Sequence, residues 1–282
     1  MTRRQFIKSA FLASLAVMAG PRVLAGFQPC VVNRRTIYLR GLSPAFDGIQ
    51  VALLSDFHHG NLVSSQRIRD SVKLANSLAP DLVALAGDYV HRGGEWAGAC
   101  FRELADLHAP LGVFGVLGNH DHYAGAEPFV RAAMVRAGIV DLTNHGIKIW
   151  RGGEGLHVCG VGDLWKEKQK LDTALAGATR AESAVLLSHN PDYVERIRDE
   201  RVGLVLSGHT HGGQCVFPLI GAPIIPSHFG HKYASGLCHG PVARVFVTTG
   251  VGHSFLPIRI NCPAEVALLT LKRAWNPASS QA

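Results

Sequence analysis

Five apolar runs in this chain each end in a short polar cluster, and that repeated arrangement limits the possible folds more than any other feature. The runs span residues 49–54, 82–86, 113–117, 184–187 and 202–206. The clusters behind them are Ser55-Asp56-Phe57-His58, Gly87-Asp88, Gly118-Asn119-His120-Asp121, Ser188-His189-Asn190 and Gly208-His209-Thr210-His211. Short apolar runs bounded by Gly, Asp and Ser read as strands covered on both faces. Helical segments alternate with them in the first half. Ser64 precedes a stretch with Ile68, Val72, Ala75 and Ala79 on one face, and further helices are expected over 95–107 and 128–137. The second half holds more strands, at 147–150, 156–161, 242–248 and 266–271, with one helix expected over 192–200 after Pro191. Alternating β and α segments make an α/β layered domain. Ligands of such sheets gather outside the carboxyl ends of the strands, so distant segments can meet at one site.

Asp56, His58, Asp88, Asn119, His189, His209 and His211 are hard oxygen and imidazole donors placed at such ends. Singly, each has an ordinary reading, since strand-end Asp residues form turns and caps and a lone His is usually just hydrogen-bonded. Together they exceed what one four- to six-coordinate ion can use, and they suit two divalent ions sharing a carboxylate. Such donors accept Mn, Fe and Zn alike. Two ions about 3.5 to 4 Å apart would lower the pKa of a bridging water and hold phosphoryl oxygens, so that hydroxide attacks in line. Neither a G-x-S-x-G elbow nor a Walker loop is present.

The order D-x-H, G-D, G-N-H-D, H, G-H-x-H resembles that of the calcineurin-like metallophosphoesterases over residues 35–272. Segments 208–214 (GHTHGGQ) and 250–259 (GVGHSFLPIR), with Cys262-Pro263, resemble the small bacterial branch of that family. The resemblance implies a four-layer α/β/β/α sandwich of two mixed sheets flanked by helices. It implies one metal on Asp56, His58, Asp88 and His211 and a second on Asp88, Asn119, His189 and His209, with Asp88 as the bridge. It further implies His120 as the acid and transition-state contact, oriented by Asp121. The expected activity is that of a phosphoesterase, taken as a phosphodiesterase, on a small phosphate ester or phospholipid-type substrate. The alternatives are a lipid-linked pyrophosphatase of the UDP-diacylglucosamine type and a metal-free binding scaffold, the latter opposed by the complete ligand set. One departure stands out: many relatives have G-D-x-x-D-R-G, whereas Gly87-Asp88-Tyr89-Val90-His91-Arg92-Gly93 puts His91 in place of the acid, which questions Arg92 as a phosphate contact. His59, His122, His228, His231 and His253 are further candidates for the pocket rim, and Phe229 and Phe255 for an apolar lip.

At the N-terminus, Arg3-Arg4 with Phe6 and Lys8 precedes an apolar run over 10–19, followed by Pro21 and the small-residue exit Val23-Leu24-Ala25. That is the layout of a secretion signal over 1–25, similar to the twin-arginine type, and the run is shorter than the roughly 20 residues of a membrane span. The expected partner in export is the twin-arginine translocase. The mature domain, 26–276, is then expected in the periplasm or on the outer face of the cytoplasmic membrane, with membrane-surface association a further expectation and 277–282 a loose tail. The signal also distorts the charge balance, because the chain's 28 basic residues less Arg3, Arg4, Lys8 and Arg22 leave 24 against 21 acidic ones. So small an excess gives no expectation of specific nucleic-acid binding. Six scattered cysteines without a C-x-x-C pair exclude a zinc knuckle, and folding before export favours free buried thiols.

Overall fold

The computed structural model describes residues 28–180 and 182–274, so the signal segment and the tail read from the sequence lie outside the described residues. Within them, twelve strands form two six-stranded sheets. The first contains β1 (Val31–Leu39), β2 (Gln50–Leu54), β3 (Leu82–Leu85), β4 (Val113–Gly115), β5 (Val140–Asp141) and β12 (Glu265–Arg273), in the order β1-β12-β2-β3-β4-β5. The second contains β6 (His145–Arg151), β7 (Glu154–Gly160), β8 (Ala184–Leu187), β9 (Val202–Ser207), β10 (Gly236–His239) and β11 (Arg244–Val247), in the order β10-β11-β9-β8-β7-β6. β2 to β5 run parallel, as do β7, β8, β9 and β11, while β12 against β2, β6 against β7 and β10 against β11 are antiparallel.

Strand residues alternate between faces. Val51, Leu53, Ala84 and Leu269 meet Val158, Leu187, Leu204 and Phe246 of the opposite sheet, forming a core between the sheets. Ala52, Leu54, Val83 and Leu85 face outward, where α1 (Ser65–Ser77), α2 (Ala97–Leu104) and α3 (Glu127–Arg136) cover them with Ile68, Val72, Leu104 and Val130. On the far side of the second sheet, α4 (Leu171–Ala174) and two short 3-10 helices, Pro191–Arg196 and Gly230–Tyr233, cover Leu186, Val205 and Val247. The architecture is the four-layer α/β/β/α sandwich, and coverage on both faces explains why the strand sequences are continuously apolar.

Four details differ from the sequence reading. β1 was not anticipated, because most of Val-Val-Asn-Arg-Arg-Thr is solvent-facing at a sheet edge and only Ile37 and Leu39 are buried. α1 stops at Ser77, and Ala79, expected on its apolar face, is exposed in the left-handed region at φ 46°. The helix expected over 192–200 is only the 3-10 turn Pro191–Arg196, capped by the Asn190 side chain on Asp192 N and ended by extended Ile197. The short edge strand β10 was also missed. All six cysteines are free.

Candidate metal centre

β2, β3 and β4 of one sheet and β8 and β9 of the other deliver their carboxyl ends to a common rim, and all five polar clusters leave their strands there. The turns are tight enough that Asp56, His58, Asp88, His209 and His211 all adopt left-handed backbone, with φ of 56°, 47°, 56°, 72° and 52°. Each costs an L-residue about 1 kcal/mol or more, and such strain persists only where the surroundings over-determine it. Backbone bonds across the rim do so: Asp56 N donates to Gly87 O at 2.9 Å and His58 N to Asp88 O at 3.0 Å. His209 N donates to both carboxylate oxygens of Asp56, at 3.0 and 3.1 Å. The glycines have a steric reason. A Cβ on Gly87 would lie 2.5 Å from Gly118 N, and one on Gly118 would lie 2.2 Å from Asp88 Oδ1.

The donor atoms form two overlapping groups. Asp56, His58 and His211 make the first, with the two imidazole Nε2 atoms 2.9 Å apart and His211 Nε2 3.5 Å from Asp56 Oδ1. Asp56, Asp88 and His189 make the second. Asn119 Oδ1 and His209 Nδ1 join it, 3.2 and 3.3 Å from His189 Nε2. Asp56 belongs to both groups, and Asp88 Oδ2 also reaches both, lying 3.5 Å from His58 Nε2 and 3.2 Å from His189 Nε2. Donors about 2.0 to 2.2 Å from an ion stand roughly 3 Å from one another, so these spacings fit coordination.

Three of the imidazoles are already in the form a metal needs. Burial holds His58 and His211 well below the usual imidazole range, and burial with the nearby charge of His189 takes His209 down to about 3. All three are therefore neutral, the form that binds a metal. Burial alone would raise Asp88, but His189, His120 and His58 hold it well below the ordinary carboxylate value. Burial and the charge of Asp88 push Asp56 up to about 7, and burial opposed by the Asp88 charge takes His189 up to about 10. The protons that His189 and Asp56 hold against the Asp88 charge are those a divalent cation bound here would displace.

His120 lines the same cleft, its backbone N donating to Asp88 Oδ1 at 2.8 Å and its ring standing edge-on to His58 at a centroid distance of 4.5 Å. Its expected partner is corrected. His120 Nδ1 sits 2.9 Å from the backbone carbonyl of His91, whereas Asp121 accepts from the backbone N–H groups of Asp88, Tyr89, Val90 and Gly118 at 2.8 to 3.1 Å. Those four amides surround the carboxylate because the 3-10 turn beginning at His120 points it back beneath the strand ends, where it braces the Asp88 and Gly118 turns. The His91 ring joins His58 and His120 in a third imidazole group, and Arg92 lies with its guanidinium carbon 6.0 Å from the ring of Tyr123.

Several neighbours escaped the sequence reading. Tyr123 OH bonds Asn119 Nδ2 at 3.2 Å, which leaves Oδ1 facing His189, and Trp165 packs edge-on against His209 at 4.4 Å. Arg259, fully buried, donates to the carbonyls of Thr249, Gly252 and Cys262, and its Nη2 approaches His211 Nδ1 to 3.4 Å. The cleft itself is about 310 Å³, and Ile224, Phe255 and Leu256 line its mouth. None of His59, His122, His228, His231 and His253 lines it, and of the two proposed lip residues only Phe255 does. His59 bonds Trp96 O and Ser65, and His122 lies between Glu127 and Glu167. Carboxylates and imidazoles of this arrangement on this fold define a metal-dependent hydrolase of phosphoric esters.

The chain belongs to the calcineurin-like phosphoesterase family, whose model matches residues 49–213. It is 32% identical over 281 residues to "Phosphodiesterase YaeI" of Escherichia coli, covering 96% of this chain and 99% of that one. It is 30% identical to the metallophosphoesterase YkuE of Bacillus subtilis, covering 96% and 98%. A Helicobacter pylori metallophosphoesterase is 28% identical, covering 95% of this chain and 71% of its own. Members of this family use divalent metal ions, and the buried clusters described above are where this chain can hold them.

Proposed function

We propose that the protein is an exported phosphodiesterase whose site holds two divalent ions, Asp56, His58, Asp88 and His211 serving one and Asp88, Asn119, His189 and His209 the other. The observation that carries this is the single oxygen Asp88 Oδ2, within 3.5 Å of a ring nitrogen from each group. When bound, two such ions supply an activated water and neutralise charge on the phosphoryl oxygens. The chain does the rest. Asn119, His120 and the Asp88 turn fix the substrate's phosphoryl group in line, and the buried walls exclude bulk water. The His91 carbonyl, by accepting from Nδ1–H of His120, fixes the ring with Nε2 free, and in the imidazolium form that nitrogen carries the proton given to the departing alcohol. The diester preference is supported by YaeI, named a phosphodiesterase and similar along nearly its whole length. Export is supported by Arg3-Arg4 and the apolar run behind it.

The test is a panel of bis(4-nitrophenyl) phosphate, 4-nitrophenyl phosphate and a lipid-linked pyrophosphate, offered to metal-stripped protein with Mn, Fe or Zn added back. Metal-restored hydrolysis with the diester fastest is expected. A faster monoester or pyrophosphate would replace the diester reading, and no hydrolysis under any metal would refute it. In cells, changing Arg3 and Arg4 to Lys is expected to strand the unprocessed chain in the cytoplasm, and normal appearance outside would refute that route.

A further inference from the structure

Two loops stand over the cleft and carry apolar side chains outward. Leu219 is fully exposed and Phe255 81% exposed, with Ile220, Ile224, Leu256 and Ile258 exposed beside them. Contiguous exposed apolar residues of this kind mark contact surfaces on soluble folds. The backbone holds them out rather than letting them fold in. Leu219 and Phe255, one at each loop tip, both sit in the left-handed region at φ 69° and 59°, unfavourable for bulky side chains. The loops are also tied together: Gln214 Nε2 donates to Leu256 O and Ile258 O, both at 2.7 Å, while its Oε1 accepts from Ser254 N at 3.0 Å. Val216 N donates to Ile260 O at 2.8 Å, and Phe217 and Gly221 exchange two backbone bonds of 2.9 Å. Strained, cross-braced tips presenting Leu and Phe are a built surface.

Its charge indicates what covers it. No Asp or Glu occurs between Glu200 and Glu265, so neither loop carries a carboxylate that would repel an anionic surface. Beneath the loops, in the same cleft, lie His58, Asp88, Asn119, His209 and His211, and ions held by these proposed ligands would take a phosphate. A ligand fitting both parts has an anionic phosphate head and an apolar body at its side.

We propose that these loop tips dock the protein on a lipid bilayer, and that the ester cleaved at the metal centre is the phosphate of an amphiphile held in that bilayer. The inference rests on the phosphodiesterase reading and names its substrate class. The reaction is ordinary hydrolysis: the water oxygen bonds to phosphorus, one phosphorus–oxygen ester bond breaks, and the departing alcohol takes a proton. The contact proposed is that of the exposed loop tips with the bilayer surface.

The test uses full-length protein and vesicles of phosphatidylethanolamine with phosphatidylglycerol, comparing the wild type with a Leu219→Ser/Ile220→Ser variant. Neither side chain lines the cleft. The wild type is expected to float with the vesicles, and each lost side chain to weaken binding about ten-fold. Both proteins are expected to hydrolyse the soluble bis(4-nitrophenyl) phosphate equally, while only the wild type releases phosphate-bearing product from the vesicles. Equal flotation of both proteins would place membrane binding elsewhere in the chain and overturn the proposal. So would a wild type that hydrolyses the soluble diester but does not float, including one whose loops instead pair two copies into a dimer that the variant dissolves. Flotation without any diester hydrolysis would overturn the hydrolase reading beneath it.

Discussion

Asp121→Asn changes one atom, yet it is expected to collapse the metal centre through the backbone. The carboxylate accepts from four buried amides, Oδ1 from Tyr89 and Val90 and Oδ2 from Asp88 and Gly118. An asparagine keeps one acceptor oxygen and turns an NH₂ toward the other pair of N–H groups. Two buried amides are then left without acceptors, at about 1 to 3 kcal/mol each, so a loss of about 4 kcal/mol is expected. For a domain of this size that lowers Tm by about 10 °C. The loss falls on the turns that place Asp88 and Asn119, so metal content drops with stability. Thermal unfolding of the metal-loaded variant, alongside elemental analysis, reads both quantities. An orienting partner of His120 would behave otherwise, leaving Tm unchanged and slowing poor leaving groups selectively. A variant melting within about 2 °C of wild type with full metal content would refute the brace.

His120→Asn is expected to keep its metal and to lose about 10²- to 10⁴-fold on an alkyl phosphodiester but much less on a nitrophenyl one, since only the alkyl alcohol needs a proton to leave; equal losses would remove the acid role. Arg259→Met leaves the buried carbonyls of Thr249, Gly252 and Cys262 without donors and is expected to cost about 3 kcal/mol or more, read as a fall in Tm that Arg259→Lys does not restore. His253 is taken down to about 4 by burial, then by the charges of Arg259 and Arg67. Between its unfolded value near 6.5 and about 4 the unfolded chain binds a proton that the native one does not, so this group's contribution to stability falls as pH drops through that window. His253→Gln is therefore expected to flatten Tm against pH there, and an unchanged slope would refute the assignment.

The candidate ligand set was legible because metal chemistry restricts residue type. Aspartates and histidines directly after buried strands can be read without knowing the path between them, and Asp56, His58, Asp88, Asn119, His189, His209 and His211 do converge. The layered fold followed from the same runs, whose continuous apolar character reflects cover on both faces. β1 was hidden because its residues are polar and its position depends on pairing with β12, more than two hundred residues away. The direction of Asp121 was hidden for another reason: a turn decides where a carboxylate points, and the family resemblance implied His120 as its partner. The true partner of His120 is a backbone carbonyl, which no residue letter encodes. Tyr123 and Trp165 reach the site through loops whose course is set by tertiary packing, and the spare histidines are held by local partners such as Ser65 and Glu167.

In the proposed centre, seven side chains hold two ions through Asp88. That arrangement is tested most directly by elemental analysis of the protein stripped of metal, reloaded with Mn and freed of excess. Two ions per chain are expected in the wild type, and markedly fewer at both positions in Asp88→Asn. One ion or none in the wild type, or two retained after the Asp88 change, would contradict it.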